Sequence, residues 1–201
     1  MEQRFDEGLL KQKLDKLEFW KQIIFLLVIC QRMIPNFRAF SRETGFTGEQ
    51  ILNSLLNKAW NNLSAGIIFD NLSKEADIAE SLAPDTEDFD SILVSSALDA
   101  AVATSLLMKS FCDGETNTIV TGAALIRDSV DMYVQVIEDM DPNSVDIEMQ
   151  ILSHELMQNE LRLQREAIEF LSSITDDISI SFKETKKKWF GVKASCLGLD
   201  D

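Results

Sequence analysis

The sequence predicts an all-α protein, a single-domain bundle of several helices built around an enclosed N-terminal helix. Three observations carry that expectation. From Ile23 to Cys30 every residue is apolar, and at about 100° per residue such a helix is hydrophobic all round and has to be covered on every side. The 201 residues include only 8 Gly and 3 Pro, too few breakers for many short strands. Apolar residues at 45% and charged residues at 26% are proportions of a globular chain rather than a disordered one.

Taken in order, Leu10, Leu14 and Leu17 recur at helical spacing and lead in register into the apolar block, which predicts one helix from Gly8 to Ile34 ended by Pro35. Lys21, Gln22, Gln31 and Arg32 bracket the block, which is shorter than the ~20 residues a bilayer span needs, so no membrane span is expected. Asn36 to Thr44 reads as a short helical or turn piece whose Phe37 and Phe40 cover the end of the core, closed by Gly45. Thr47 and Gln50 have the spacing of a capping box, and a helix from Gly48 to Ser64 follows, apolar through Ile51, Leu52, Leu55, Leu56, Ala59 and Leu63 and stopped by Gly66. Asp70 to Leu82 reads as a weaker amphipathic helix at the surface.

After a loop around Pro84, Phe89 to Phe111 predicts a helix rich in alanine, able to approach a neighbour closely. Asp113-Gly114 ends it, and Thr116 is the expected cap of a helix running to Asp139. Asp141-Pro142 has the chemistry of a helix start, which predicts a last long helix to Ile174. One of its faces carries Met149, Leu156, Leu163 and Phe170, and a second stripe carries Ile147, Ile151, Leu161 and Ile168. Residues 1–182 are therefore read as one helical domain and 183–201 as a basic tail.

The formal net charge is -15, from 34 acidic and 19 basic residues. Such a surface repels phosphate backbones and anionic membranes. Five Lys against one Glu lie between Lys183 and Lys193, so only this tail could meet an anion, and Trp189 and Phe190 beside Lys186, Lys187 and Lys188 are read as a solvated tail, or one folding back on the chain's own negative surface, rather than as a nucleic-acid contact. Cys30, Cys112 and Cys196 are an odd, widely spaced set without a CxxC pair, so no disulfide framework is expected. The N-terminus lacks the apolar core of a signal peptide, and cytoplasm is the default compartment.

Several motifs together resemble one family: Cys30 to Phe40 (CQRMIPNFRAF), Trp20, Thr44 to Phe46, Trp60, and Ala97 to Ala103 (ALDAAVA). On these residues the chain resembles the YjaG-like bacterial proteins, a family known as domain of unknown function 416. Gln31 stands where the family pattern has Glu, and Cys196 where it has Asn. The resemblance implies an all-helical fold and raises a dimer, but it supplies no activity.

Candidate sites are few. His154-Glu155 opens a zinc-helix pattern, but Gln158 replaces the second His and this is the single His in the chain, so no metal or other cofactor is expected. It reads instead as an ordinary polar residue on the second stripe. Asp128 with Asp131, and Glu166 with Glu169, each place two carboxylates on one helical face. All-α nucleoside triphosphate pyrophosphohydrolases hold Mg²⁺ in this way, which makes such an enzyme the alternative reading. Solvated helix faces are the simpler account. Asp99 and Glu160 fall on apolar faces, and an uncompensated buried charge costs several kcal/mol, so each needs a partner. Arg32 is the expected partner of Asp99. With no phosphate loop or nucleophile motif present, the expectation is a non-enzymatic interaction protein with an unidentified protein partner. The stripe Ile147, Ile151, Leu161 and Ile168 is the expected homodimer face, the competing account being internal cover by the helix from Asp70 to Leu82 or by the tail with Trp189 and Phe190.

Overall fold

The computed structural model describes residues 6–189 and 195–199. Among the described residues there are helices and no strand, as the sparse breakers and the apolar block require. The helices are α1 (Glu7–Leu14), α2 (Phe19–Thr44), α3 (Glu49–Ser64), α4 (Ser73–Glu80), α5 (Val94–Asp113), α6 (Thr116–Ile137), α7 (Ile147–Ser153), α8 (Glu155–Ser173) and α9 (Ile178–Trp189). α2 is the axis of the fold. Every residue from Ile23 to Cys30 is buried, with α3, α5, α6 and α8 packed around it. By length and composition alone α2 could cross a membrane, and most of its apolar stretch is instead buried within the chain.

The predicted first helix is two. α1 stops at Leu14, Asp15 caps its end, and a turn closed by Leu17 N–H donating to the Leu14 carbonyl (2.8 Å) leads into α2. The turn lets α1 lie against α6 while Leu10, Leu14 and Leu17 still reach the core.

Pro35 does not end α2 but lies inside it. Its ring removes one amide and forfeits one helical hydrogen bond, a cost of roughly 3 kcal/mol in an isolated helix interior. Burial on all sides offsets that cost, since each fully buried Phe or Leu contributes about 1.5–3 kcal/mol. Beyond Pro35, Phe37 and Phe40 join Phe46 and Phe89 in an aromatic cluster with ring centroids 5.0 to 6.5 Å apart. That cluster seals the end of the core as expected of Phe37 and Phe40.

Two helix ends were legible locally. Gly45 (φ 78°) and Gly114 (φ 68°) adopt the left-handed conformation after α2 and α5, their N–H groups donating to the Ser41 and Ser110 carbonyls, a conformation that a side chain penalises. Three start signals were not. Gly48 rather than Thr47 is the N-cap of α3, without a side-chain cap bond, and Glu115 rather than Thr116 precedes α6. Asp141 accepts from the Asn143 N–H (2.9 Å) in a turn, so α7 begins only at Ile147. His154 then divides the expected last helix into α7 and α8.

Close packing has a clear contact point. A Cβ added at Gly122 of α6 would lie 2.4 Å from Leu26 Cδ1 of α2, so these helices meet where one of them lacks a side chain. The expected basic tail is also structured where described: Lys183 to Trp189 complete α9, with Phe182 against Trp60 (5.9 Å) and Trp189 buried. Lys188 Nζ sits 4.0 Å from the Phe170 ring centroid. Phe190 and Lys193 lie outside the described residues.

Candidate functional site

One set of buried polar groups lies between α2 and α8. Arg32 projects from α2 and Glu160 from α8, the latter with 0% of its surface exposed. Arg32 Nη2 bonds Glu160 Oε2 and Nη1 lies 3.4 Å from Oε1. One turn further along α8, Gln164 Nε2 donates to Glu160 Oε1 (2.9 Å). One turn further along α2, Asn36 Nδ2 meets Cys196 Sγ (3.0 Å) and Asn36 Oδ1 accepts from Ser195 Oγ (2.7 Å). The Cys196 N–H completes the joint on the Arg32 carbonyl (3.2 Å). Ser195 and Cys196 are thus fastened to α2 in the turn that contains Pro35.

This corrects the expected pairing. Arg32 meets Glu160, and Asp99 is left with Ser129 Oγ, which donates to it at 2.7 Å from α6. Burial raises the Asp99 carboxyl to about 6, against the Ser129 hydrogen bond, and the nearby Asp128 charge raises it further. Cys196 is pushed up to about 12, mainly by burial and then by the Glu160 charge, and burial raises the Cys30 thiol as well. Neither is a thiolate nucleophile at neutral pH. The Arg32 network has the chemistry of a structural joint: its charges face one another and Cys196 lies beside them.

The four carboxylates of the enzyme alternative do not converge. Asp128 pairs with Arg127, Asp131 accepts from Gln135 Nε2 (2.6 Å), Glu166 pairs with Arg162 (2.6 Å) and Glu169 lies 3.9 Å from Arg165. Each is engaged along its own helix. Among the described residues no group of three or more His, Cys, Asp or Glu is placed to hold a metal ion. Glu169 does line an open cleft of about 440 Å³ with Lys13, Lys16 and Arg165. That cleft holds cations but only one of the four carboxylates.

His154 is likewise placed differently from its expected position on a stripe. It is the N-cap of α8, its Nδ1 accepting from the Leu156 N–H (3.2 Å) while Nε2 lies 3.5 Å from Glu138. The expected dimer face is internal: Ile151, Leu161 and Ile168 belong to the buried core and Ile147 packs against it. α8 lies against α2, α6 and α7, so the chain itself covers this stripe. On the other face Leu156 and Phe170 are partly buried, and only Met149 stands out as an exposed large side chain.

Sequence reasoning missed a second buried joint. Lys21, only 2% exposed, places Nζ 2.7 Å from both the Ile174 carbonyl and Asp176 Oδ1, and Trp20 Nε1 donates to the Asp176 carbonyl (3.0 Å). The α8–α9 connection is therefore fixed to the first turn of α2. The signal was a Lys directly before an all-apolar block, in a turn that has to be enclosed as well.

Exposed apolar side chains also recur from the second half of α6 through the connection that follows into α7. Met132, Val136, Ile137, Val145 and Met149 are exposed, Val145 to 97%. These five are among twelve exposed large apolar side chains of the described residues, yet they fall within 132–149.

With this geometry in view, the comparisons are consistent with one another. The family described as Protein of unknown function (DUF416) matches residues 9–200, and the chain belongs to that family. It is 36% identical over 104 residues to the "Uncharacterized protein YjaG" of Escherichia coli (strain K12), covering 52% of this chain and 53% of that protein. An uncharacterized protein of Haemophilus influenzae is 31% identical over 106 residues, covering 52% and 54%. These alignments span about half the length of each curated relative. The crystal structure of a DUF416 family protein from Shewanella baltica OS155 superposes with a TM-score of 0.82 at 26% identity, covering 95% of this chain and 98% of that one.

Proposed function

We propose that this chain is a non-enzymatic protein whose work is to bind another protein. The observation that supports this reading is the contrast between its polar interior and its apolar exterior. Arg32, Glu160 and Lys21 are buried in structural joints, whereas five large apolar side chains within 132–149, on α6, α7 and the connection between them, are exposed. A catalytic site needs reactive groups that a substrate can reach, and exposed apolar patches mark places where proteins meet partners. Action in the cytoplasm belongs to the same proposal, in keeping with three cysteines that form no disulfide.

The test is photo-crosslinking in the native cell from a reactive amino acid at position 149, with position 12 on α1 as control. A reproducible protein adduct from 149 alone is expected. The reading fails if 149 yields none while millimolar Mg²⁺ with a nucleoside triphosphate raises the melting temperature and Glu166→Gln abolishes the rise. That outcome would favour the pyrophosphohydrolase alternative.

A further inference from the structure

The exposed apolar side chains of α6, α7 and the connection between them lie in a stretch of sequence without Lys or Arg. Between Arg127 and Arg162 there is no Lys or Arg, and nine Asp or Glu occur. Glu160 is buried against Arg32, leaving eight. Among the described residues, no Lys or Arg pairs with Asp139, Asp141, Asp146, Glu148 or Glu155, while Asp128 pairs with Arg127 and Glu138 lies 3.5 Å from His154. Elsewhere several surface acids do have a basic neighbour, as in Lys11–Asp15, Lys58–Glu75 and Lys109–Glu80. Over 139–155 no such pair with Lys or Arg occurs among the described residues.

The chemistry of the side chains specifies the occupant further. Met132 and Val136 are one helical turn apart on α6, on one face, and Met149 stands out from α7, which packs against α6. Methionine adapts to irregular apolar faces, and exposed apolar side chains interleaved in the chain with acids are complementary to a helix with apolar residues on one side and Lys or Arg beside them. A second copy of this chain fits poorly. It would bring the same uncompensated acids face to face, and like charges repel across an interface.

We infer that the surface formed by Met132, Val136, Ile137, Val145 and Met149 with Glu138, Asp139, Asp146 and Glu148 is the docking site for a basic amphipathic helix of another protein. This rests on the protein-binding reading above and adds the class of partner.

The experiment uses the full chain and a fluorescein-labelled 18-residue Leu/Lys peptide with its leucines on one helical face. A peptide of the same composition in scrambled order and a Leu/Glu amphipathic peptide are the comparisons. Two surface variants, Met132→Ser/Val136→Ser and Asp146→Lys/Glu148→Lys, are checked for unchanged circular dichroism. The expected result is micromolar binding of the Leu/Lys peptide, weakened at least about tenfold by scrambling and by each variant, and weakened by added salt as screening requires.

Equal binding of the scrambled peptide, or undiminished binding by both variants, overturns the inference. Preferential binding of the Leu/Glu peptide, lost in Met132→Ser/Val136→Ser, overturns the basic-helix assignment and leaves the protein-binding reading standing. A dimer in sedimentation that this variant makes monomeric overturns it in favour of a second copy. A failure to bind any peptide, with a crosslinked adduct still formed from position 149, overturns the partner class alone.

Discussion

Glu160 and Asp99 are two carboxylates on apolar helix faces, and the fold treats them differently. Glu160 sits beneath Arg32, with Gln164 on one of its oxygens. Asp99 has one hydroxyl, from Ser129, and a neighbouring Asp128 of the same sign. A buried carboxylate either acquires a compensating charge or gives up part of its own. Glu160 illustrates the first outcome, and Asp99, raised to about 6, approaches the second. Need for a partner was readable from the helical pattern. Which carboxylate would receive the arginine depended on the direction in which α2 presents position 32, toward α8.

The largest expected effect comes from breaking the paired site. Arg32→Ala strands an uncompensated charge with no exposure to water, and removing one member of a buried pair costs about 3–5 kcal/mol. Urea denaturation should show that loss in the midpoint. Combining Arg32→Ala with Glu160→Gln should recover part of it, because the orphaned charge goes too. If the single variant loses less than about 1 kcal/mol, in the range of ordinary surface pairs, the contrast between the two carboxylates collapses.

Second in size is the pH response of the unpaired site. The Asp99 carboxyl is raised in the fold from 3.8 to about 6, so between those pH values the folded chain holds a proton that the unfolded chain has released. Stability from this group is therefore present below about pH 4 and lost as pH rises through about 6, by up to roughly 3 kcal/mol. Asp99→Asn has no such proton to lose. The variant should match the parent near pH 4 and exceed it by about 1–3 kcal/mol at pH 7.5. Parallel pH profiles for the two proteins would mean that Asp99 is solvated in the fold.

How far the sequence disclosed all this follows from the range over which each signal acts. Gly45 and Gly114 were readable as helix ends because the left-handed cap is decided within a few residues. Ile23 to Cys30 announced an enclosed helix because only burial on all sides suits it. Pro35 misled because its local penalty is outweighed by packing from elements far away in the chain. Asp141-Pro142 misled because a cap-like pair also makes a turn. Ile151, Leu161 and Ile168 suggested a partner because a sequence does not show how many neighbours a helix has, and α8 has α2, α6 and α7. The fastening of Ser195 and Cys196 to Asn36 spans about 160 positions, and no periodicity within one segment reports such a contact. The run without Lys or Arg from Asp128 to Leu161 was visible from the start, but it acquired meaning only once Met132, Val136 and Met149 proved to be exposed.

The smallest effect sharpens the comparison most, because it acts on Asp99 without removing its charge. Ser129 is buried in α6 and its hydroxyl donates the 2.7 Å bond that Asp99 Oδ2 accepts. Ser129→Ala deletes that donor and changes little else in shape. The bond counts for more when the acceptor is ionised: a hydrogen bond to a charged group contributes about 1.5–3 kcal/mol and one between neutral groups about 0.5–1.5. The variant should therefore lose about 1–2 kcal/mol at pH 7.5 and less near pH 5, where Asp99 is largely protonated and keeps only a neutral bond to lose. Because the Ser129 bond opposes the upward shift of the Asp99 carboxyl, its removal should also move the pH dependence to a higher range. Denaturation profiles of the parent and Ser129→Ala at both pH values check this. A loss that is the same at pH 5 and 7.5 would show that the hydroxyl acts through packing alone, and that some other group shares the charge of Asp99.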